Sequence, residues 1–437
     1  MDRSRREYLA RLGSLAGGAI VGSVAGCVSD TPEGTATERT TTARSPLVED
    51  WRRTFEQSWP SFDLIGRLAV SGSVLATAGL THAETDAGES YWIPWIEGFD
   101  TDGTQQWQYL YEPSTGEPIV DGDERRANGW GVFGLKQYDG GFVAGLRPLR
   151  SREEAEEPVL VRLDGDGTER WSRQVPTATL SPYRNGDLFV IASPGDRKPK
   201  IYVPSNEPDG AGHIRITVVR LGGTVANQYV VNTETFGRVD TIKTNSNGTL
   251  ALFGRDRSDD ELVSIAEVSP NGSIQREATI GSNWSMRYPE PISAPDDCSV
   301  LAVNSVTPAF FAYTDVVELS ETFSVVRRWR FDGWNIANIT CESPFAPSDG
   351  FILTMRPAGE NASRPPGASF VAIDGNGEIS WRSNGAQAEQ LPEQADQLPR
   401  FSDAVVANEQ LFVGGATPDH QALLVTYSPA AGTSSIE

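Results

Sequence analysis

Asp164-Gly-Asp-Gly-Thr-Glu-Arg-Trp171 is the stretch that decides the fold, because similar stretches recur along the chain. Each copy follows an apolar run and leads into a second strand-like run, so each predicts a β-hairpin. Asp-Gly and Asn-Gly supply the positive φ that tight hairpin turns need. Two further clear copies and one weaker copy are Asp100-Thr-Asp-Gly-Thr-Gln-Gln-Trp107, Asp374-Gly-Asn-Gly-Glu-Ile-Ser-Trp381 and Ser269-Pro-Asn-Gly-Ser-Ile-Gln-Arg276.

A second pattern stands upstream of each hairpin. A polar turn such as Asp139-Gly140-Gly141 opens an apolar strand, a loop of variable length follows, and a third strand leads into the hairpin. With the strand after the hairpin, this is a four-stranded antiparallel unit. The predicted second strands are Phe142–Leu146, Leu188–Ala192, Leu250–Gly254, Val300–Val303, Phe351–Thr354 and Gln410–Gly414.

Repetition of this unit predicts an all-β, about seven-bladed β-propeller of four-stranded antiparallel blades. The last unit ends at Leu423-Leu-Val-Thr-Tyr427 without a tryptophan strand. The sequence Glu49–Phe55 resembles the tryptophan strand Glu169–Arg173 of another unit. We therefore expect the N-terminal strand to close the last blade. Residues 47–437 are then a single domain. The units begin near Leu68, Val132, Thr179, Val239, Ile292, Ile339 and Ala404.

The Asp-x-Asp/Asn-Gly-x-x-x-Trp hairpins resemble the PQQ-type (quinoprotein) propeller repeat and related repeats of secreted archaeal lipoproteins. The resemblance covers residues 48–430 as a pattern, with clear motifs in about four blades. The turns Gly222-Gly223-Thr224 and Glu321-Thr322-Phe323 depart from it. The resemblance implies fold rather than activity. Alcohol dehydrogenases of this fold that use PQQ carry a vicinal Cys-Cys pair, which this sequence lacks, so we predict no cofactor.

The charge balance is strongly acidic, with 59 Asp+Glu against 37 Lys+Arg and a net charge of -22. Phosphates would be repelled, so we expect no nucleic-acid partner. Only four of the basic residues are lysines. An acidic, lysine-poor surface resembles proteins of halophilic archaea, where molar salt screens carboxylate repulsion. An ordinary acidic protein is the alternative.

The N-terminus predicts export and anchoring. Arg5 and Arg6 form a twin-arginine pattern, and the apolar run Leu12–Ala25 is too short to span a bilayer. Val24-Ala25-Gly26-Cys27 looks like a lipobox, which implies cleavage before Cys27 and lipidation of its sulfur. We therefore expect a signal peptide over residues 1–26 and a lipidated, flexible Thr/Ser/Pro-rich tether over 27–46. Plain secretion is the alternative.

Export also bears on the remaining cysteines and on the sequons. Cys298 and Cys341 fall in neighbouring predicted blades, so they form either a disulfide or two free thiols. Asn-x-Ser/Thr sequons suit an exported protein, although those at Asn247 and Asn271 are already explained by turns. The stronger candidate glycosylation sites are Asn283, Asn338 and Asn361.

Long predicted loops fall on the face opposite the hairpins, which is where we expect binding. Four tryptophans belong to blade-to-blade connections on that face, where they either stack on a flat ligand or pack the entrance to each inner strand. They are Trp59, Trp130, Trp284 and Trp334.

Catalysis has little support in the sequence. His82, His213 and His420 show no metal-ligand spacing, and Gly-x-Ser-x-Gly is absent. The Asp-rich hairpins lack the bidentate Glu of a calcium loop. We therefore predict no metal and no catalytic residue.

The functional expectation is a noncatalytic binding or scaffold propeller, lipid-anchored on the extracellular face of the cell membrane. We expect a monomer whose partners are the membrane and an envelope protein or glycan. The alternative is an envelope enzyme, either a PQQ-dependent quinoprotein or a carbohydrate-cleaving propeller. A structural envelope component or assembly factor ranks lowest.

Overall fold

The computed structural model describes the following residues: 47–55, 64–84, 90–111, 128–148, 157–177, 188–193, 198–207, 212–245, 247–259, 262–281, 287–293, 300–306, 312–332, 334–341, 345–347, 349–357, 370–383, 400–417 and 421–429. These residues form 28 β-strands within one compact unit, residues 36–437, and none of them is helical. In this described part of the chain there is accordingly no helix with the length and hydropathy to cross a bilayer.

The first four blades use consecutive strands. Blade 1 contains β2 (Leu64–Ser71), β3 (Val74–Glu84), β4 (Ser90–Phe99) and β5 (Gln105–Leu110). Blade 2 contains β6 (Asn128–Tyr138), β7 (Gly141–Pro148), β8 (Val159–Asp164) and β9 (Glu169–Gln174). Blade 3 contains β10 (Val190–Ala192), β11 (Lys200–Asn206), β12 (His213–Arg220) and β13 (Val225–Asn232). Blade 4 contains β14 (Phe236–Thr244), β15 (Leu250–Asp256), β16 (Val263–Val268) and β17 (Ile274–Ile280).

The last three blades include the one that joins the two ends of the domain. Blade 5 contains β18 (Arg287–Ser293), β19 (Val300–Val306), β20 (Ala312–Leu319) and β21 (Val325–Asp332). Blade 6 contains β22 (Trp334–Thr340), β23 (Phe351–Pro357), β24 (Phe370–Ile373) and β25 (Ile379–Ser383). Blade 7 contains β26 (Arg400–Ala407), β27 (Gln410–Ala416), β28 (Ala422–Pro429) and β1 (Leu47–Phe55).

The blades form a closed ring, which confirms the predicted seven-bladed propeller. The first strand of each blade contacts the first strand of the next, and β2 of blade 1 contacts β26 of blade 7. Blades 1 and 2 also share a two-residue parallel pairing between β4 and β6. In blade 7, β1 pairs antiparallel with β28, from Leu47 opposite Pro429 to Phe55 opposite Ala422. Hydrogen bonds between the two ends of the domain therefore complete the last sheet.

The hydrophobic core lies between the blades. Among the described residues, buried apolar side chains form seven clusters, and each cluster combines residues from two neighbouring blades. Middle strands such as β7 and β16 are buried on both faces, which explains their nearly continuous apolar sequences. Outer strands such as β5 alternate exposed and half-buried side chains, because only one face packs on a neighbour.

Two sequence predictions about the blades are wrong in detail. The predicted second strand Leu188–Ala192 contains β10, which is the first strand of its sheet. The segment predicted as a long loop, Ser193–Gly212, contains β11, which pairs with both β10 and β12. Pro204 lies inside β11, and a proline within a short apolar run argues against a strand. The predicted unit start at Thr179 lies outside the described residues.

Candidate binding site

The first residue of each signature closes its own turn. In the β4–β5 turn, Asp100 N donates to Thr104 O at 3.0 Å, and Gly103 N donates to Asp100 O at 3.0 Å. Asp100 Oδ1 accepts from the backbone N of Thr104 at 2.8 Å and of Asp102 at 3.1 Å. Gly103 has a φ of 78°, which a side chain would strain. This arrangement confirms the hairpin interpretation of the signature.

The tryptophans of two clear signatures, Trp107 and Trp171, each contact a turn of the next blade. Trp107 on β5 reaches the β8–β9 turn of blade 2, where its Nε1 donates to Gly165 O at 2.8 Å. Its ring lies over Gly167, whose φ is 80°, and a Cβ on Gly167 would stand 2.5 Å from the ring. The glycine therefore serves two purposes, the left-handed turn and the close approach of the indole. Equivalent bonds join Trp51 to Thr101 O at 2.9 Å, Trp171 to Leu221 O at 2.8 Å and Trp329 to Gly377 O at 2.9 Å.

The aromatic side chain that covers the turn of the next blade comes from one of two positions on the outer strand. Trp171 pairs across the sheet with Arg162, two residues before its turn begins, whereas Trp329 pairs with Val316, four residues before. Tyr229 uses the second position to cover Gly272. Where Trp329 uses the second position, Arg327 stands at the first and donates to Gly375 O at 2.7 Å. Both positions therefore make contact with the next turn.

The interface between blades 4 and 5 departs from this pattern. On β17, Arg276 and Ala278 occupy the two positions, opposite Glu267 and Ile265, so no aromatic ring extends from either position of this strand. In the β20–β21 turn, Phe323 stands where the other turns have glycine, with a φ of 62°. Its ring packs against the blade 4–blade 5 core cluster. A bulky residue at positive φ is a genuine conformational outlier.

A groove of about 450 Å³ opens at this interface. One wall comes from Leu262 just before β16, the end of β17 and Gly281, and the other from the β20–β21 turn and the first residue of β21. Val325, which lines the groove, is 37% exposed, and the adjacent Val326, which is not a lining residue, is 56% exposed. The lining residues are Leu262, Ala278, Thr279, Ile280, Gly281, Thr322, Phe323, Ser324 and Val325.

A buried carboxylate supports the blade 4 wall. Asp256 accepts from Ser258 N at 2.7 Å and from the hydroxyls of Ser258, Ser264 and Thr279 at 2.6, 3.1 and 3.3 Å. Burial alone would raise the pKa of Asp256, but the hydrogen bonds from Ser258 and Ser264 help to outweigh it, and the pKa is lowered. An ionised Asp256 therefore holds Thr279, one of the groove residues, against the β15–β16 connection.

Two of the four predicted ligand-face tryptophans are described, and both are buried. Trp130 is 6% exposed, lies near the start of β6 and packs against Tyr111 with ring centroids 5.2 Å apart. Trp334 is 7% exposed and begins β22, and its carbonyl accepts from Thr314 Oγ1 at 2.8 Å. Both belong to strands rather than connections, and their burial agrees with the packing interpretation. Trp59 and Trp284 lie outside the described residues, so ligand stacking stays a prediction.

The remaining predicted residues are only partly described. Cys341 is disulfide-bonded, and its predicted partner Cys298 lies outside the described residues. Asn338 Nδ2, the atom that a glycan would occupy, donates to Asp403 Oδ1, which disfavours glycosylation there in the folded domain. The candidates outside the described residues are Arg5, Arg6, Cys27, Asn283 and Asn361.

Comparisons with known proteins find similar solved structures but no protein family and no curated relative. No protein-family model matches the chain. No curated protein matches it either.

Several solved structures align with most of the chain at low identity. Sqt1 from Chaetomium thermophilum is 14% identical, with 81% of this chain and 79% of that chain covered and a TM-score of 0.40. The β-propeller domain of the Trilobed protease from Pyrococcus furiosus is 8% identical, with 85% and 94% covered and a TM-score of 0.41. BBS1N, solved in complex with ARL6DN, is 9% identical, with 89% and 99% covered and a TM-score of 0.46. Likenesses at this level carry nothing about ligand or activity.

Proposed function

We propose that this chain is a noncatalytic binding or scaffold propeller, held on the extracellular face of the cell membrane by a lipid on Cys27. The groove between blades 4 and 5 is its binding site. The observation that carries the proposal is that, among the described residues, no ring covers the blade 5 turn as rings cover five others, and a groove opens beside it. Open apolar surface on a folded domain is typical of interaction sites.

The chemistry of the groove favours binding over catalysis. Its nine lining residues are aliphatic, aromatic, hydroxyl-bearing or glycine, and none carries a carboxylate, imidazole, amine or thiol. General acid–base and metal chemistry need such groups. Hydroxyls of Thr322 and Ser324 beside Phe323 and Val325 instead offer a few polar contacts within an apolar surface, as ligand sites do.

The anchor rests on the order of the N-terminal motifs. A twin-arginine pair, a short apolar run and Cys27 follow one another in the arrangement of an exported lipoprotein. A two-chain lipid on Cys27 gives stable attachment where a single chain is marginal. The polar tether up to residue 46 then separates the propeller from the bilayer.

Fractionation of cells that produce the full-length protein tests the anchor. Cys27→Ser should move the protein from the membrane pellet to the soluble exported fraction, because it removes the lipidated sulfur. Ser29→Ala, which alters the same segment but keeps the sulfur, should stay in the pellet. A Cys27→Ser protein that remains in the pellet after a high-salt wash would refute the anchor.

Photocrosslinking in intact cells tests the binding site. A photoreactive phenylalanine analogue at Thr322 stands at the edge of the groove, whereas the same analogue at Asp102 stands at the equivalent place in the blade 1 turn, which Trp51 already covers. We expect adducts of defined mass from position 322 and none from position 102. Identical patterns from both positions would count against the groove as the binding site.

A further inference from the structure

Two hairpin turns of blade 4 carry the same kind of sequence at the same place. The β14–β15 turn contains Asn247-Gly248-Thr249, and the β16–β17 turn contains Asn271-Gly272-Ser273. Each turn closes in the same way, with Asn245 N donating to Thr249 O at 2.9 Å and Ser269 N donating to Ser273 O at 2.9 Å. Both triplets match the Asn-x-Ser/Thr acceptor sequence of an N-linked glycan. The turn accounts for Asn-Gly at both places, so the contacts of the side chains decide whether either one can carry a glycan.

The side chain of Asn247 is held by a buried carboxylate. Its Nδ2 donates to Glu267 Oε1 at 3.1 Å, and Glu267 is 5% exposed. The hydroxyl of Thr249, the third residue of the sequon, also lies 2.6 Å from that oxygen. Burial raises the pKa of Glu267, but hydrogen bonds from Thr249 and Asn247 help to lower it overall, so the carboxylate is ionised. A sugar on Nδ2 of Asn247 would crowd a donor that a buried charge requires.

The side chain of Asn271 leaves its amide nitrogen accessible. The residue is exposed, and the turn uses only its oxygen, because Oδ1 accepts from the Ser269 hydroxyl and from Ser273 N at 3.3 Å. Among the described residues, neither Asn271 Nδ2 nor the Ser273 hydroxyl has a hydrogen-bond partner. A sugar on Nδ2 would therefore leave the hydrogen bonds that close the turn in place.

The surroundings of this turn are described on both sides. Asn271 belongs to the continuous described segment 262–281. The seven residues of β17 separate the turn from residues 282–286 and span about 20 Å. The accessibility of Asn271 therefore follows from the described turn itself.

We propose that Asn271 is a glycosylation site, at which the folded domain carries an N-linked glycan on the β16–β17 turn. The inference rests on the part of the proposed function that places the domain outside the cell, where the sugar is transferred. The twin-arginine route indicated by Arg5 and Arg6 carries folded proteins, so the transferase meets the folded turn. Access to Nδ2 in the fold then decides which sequon reacts.

The sugar donor is a lipid-linked oligosaccharide phosphate. A bond forms between Asn271 Nδ2 and C1 of the first sugar, and the bond between C1 and the phosphate oxygen breaks. The lipid phosphate leaves with the electron pair, and the amide nitrogen loses one proton. Nδ2 must be free to approach C1, which is the condition that Asn271 meets and Asn247 does not.

Peptide mass spectrometry tests the inference on the full-length protein, isolated from the membrane of a host that has N-linked glycosylation. The fragment that contains Asn271 should carry the host glycan. Asn247 should be modified at least about tenfold less, because its nitrogen is bonded to a charged group. An unmodified Asn271 in the exported protein would overturn the inference.

Matched variants assign the glycan to the sequon. Asn271→Gln and Ser273→Ala should each remove the glycan, and Ser273→Thr should keep it. Asn247→Gln makes the same change in the equivalent turn and should leave the glycan in place. Ser273→Ala removes a hydroxyl without a partner among the described residues, so an unchanged calorimetric transition is expected and shows that the fold is kept. A glycan that persists in Ser273→Ala would refute the assignment to this sequon.

Transfer in vitro separates this inference from the proposed export. Folded full-length protein is incubated with a purified oligosaccharyltransferase and its lipid-linked oligosaccharide in detergent, so that no export step is needed. Transfer to Asn271 in the wild type, and none in Ser273→Ala, would support the site even if fractionation of Cys27→Ser refuted the anchor. Absence of transfer to Asn271, or equal transfer to Asn247 and Asn271, would overturn the inference and leave the proposed binding function standing.

Discussion

Truncation of Trp329 is the sharpest test of the way in which blades dock. Trp329 extends from β21 of blade 5 onto the β24–β25 turn of blade 6, is 8% exposed, and meets Phe351 edge to face with ring centroids 5.4 Å apart. Its Nε1 donates to Gly377 O at 2.9 Å. Trp329→Ala removes the ring and the hydrogen bond, whereas Trp329→Phe keeps an aromatic ring and removes the hydrogen bond.

The expected losses follow from burial. Truncating a buried tryptophan to alanine costs about 3–5 kcal/mol of unfolding free energy, including the cavity. Loss of the hydrogen bond alone costs about 1 kcal/mol. A domain of about 380 residues has an unfolding entropy of about 0.8 kcal/mol/K at its Tm, so Trp329→Ala should lower the Tm by about 4–6 °C and Trp329→Phe by about 1–2 °C.

Calorimetry of the folded domain measures these shifts, with Val326→Ala as the matched control. Val326 lies on the same strand but is 56% exposed, so its truncation should move the Tm by less than about 1 °C. The order wild type, phenylalanine, alanine should hold at each salt concentration. A Trp329→Ala protein that melts within 1 °C of the wild type, or no lower than Val326→Ala, would refute the docking explanation.

Further predictions concern the turns, a buried carboxylate and the closing strand. Gly72 and Gly167 both have a positive φ, but only at Gly167 would a Cβ meet another side chain, the ring of Trp107. Gly72→Ala should cost about 1–2 kcal/mol of unfolding free energy through backbone strain alone. Gly167→Ala adds the clash with Trp107 and should lower the Tm more than Gly72→Ala. Glu267 is buried, which raises its pKa, yet donors from Thr249 and neighbouring side chains lower the pKa overall. The Tm advantage of wild type over Glu267→Gln should therefore be complete above about pH 4.3 and shrink as the pH falls through the lowered pKa. Deletion of residues 47–55 should remove cooperative unfolding of the ring, and an unchanged calorimetric transition would contradict the β1–β28 closure.

Much of the fold was predictable because its determinants are local. Asp100 and Gly103 build their turn from their own backbone and side chains, so the hairpin follows from a few consecutive residues. Repetition then gives the blade count. The closing strand was predictable because the residues around Trp51 resemble those around Trp171. Both tryptophans donate a hydrogen bond to a turn carbonyl of the following blade.

The contacts between blades were not predictable in the same way. The sequence indicates that Trp107 belongs to the outer strand, but its acceptor, Gly165 O, lies 58 residues away in the next blade. Only the assembled ring brings the two together. The same limit applies to the groove, because no sequence pattern links Ala278 and Phe323, and the prediction of binding on the loop face stays a prediction.

The departures from the signature in blades 4 and 5 make sense as a pair. Each signature glycine accommodates the ring of the preceding blade, so a blade without a ring removes the packing reason for glycine in the following turn. Blade 4 has Ala278 where a ring would start, and blade 5 has Phe323 where glycine would stand. Phe323 fills part of the space at the cost of a left-handed backbone, about 1–2 kcal/mol.

That strain would be hard to explain if the interface served stability alone. A tryptophan on β17 with glycine at position 323 would seal the interface without strain, as the turns over Gly167 and Gly377 do. The chain instead keeps a strained Phe323 and leaves beside it a groove that is open to solvent and lined in part by Val325. Strain retained beside an open apolar groove is characteristic of a site kept for a ligand. We therefore propose that the departures from the repeat in blades 4 and 5 mark the binding site.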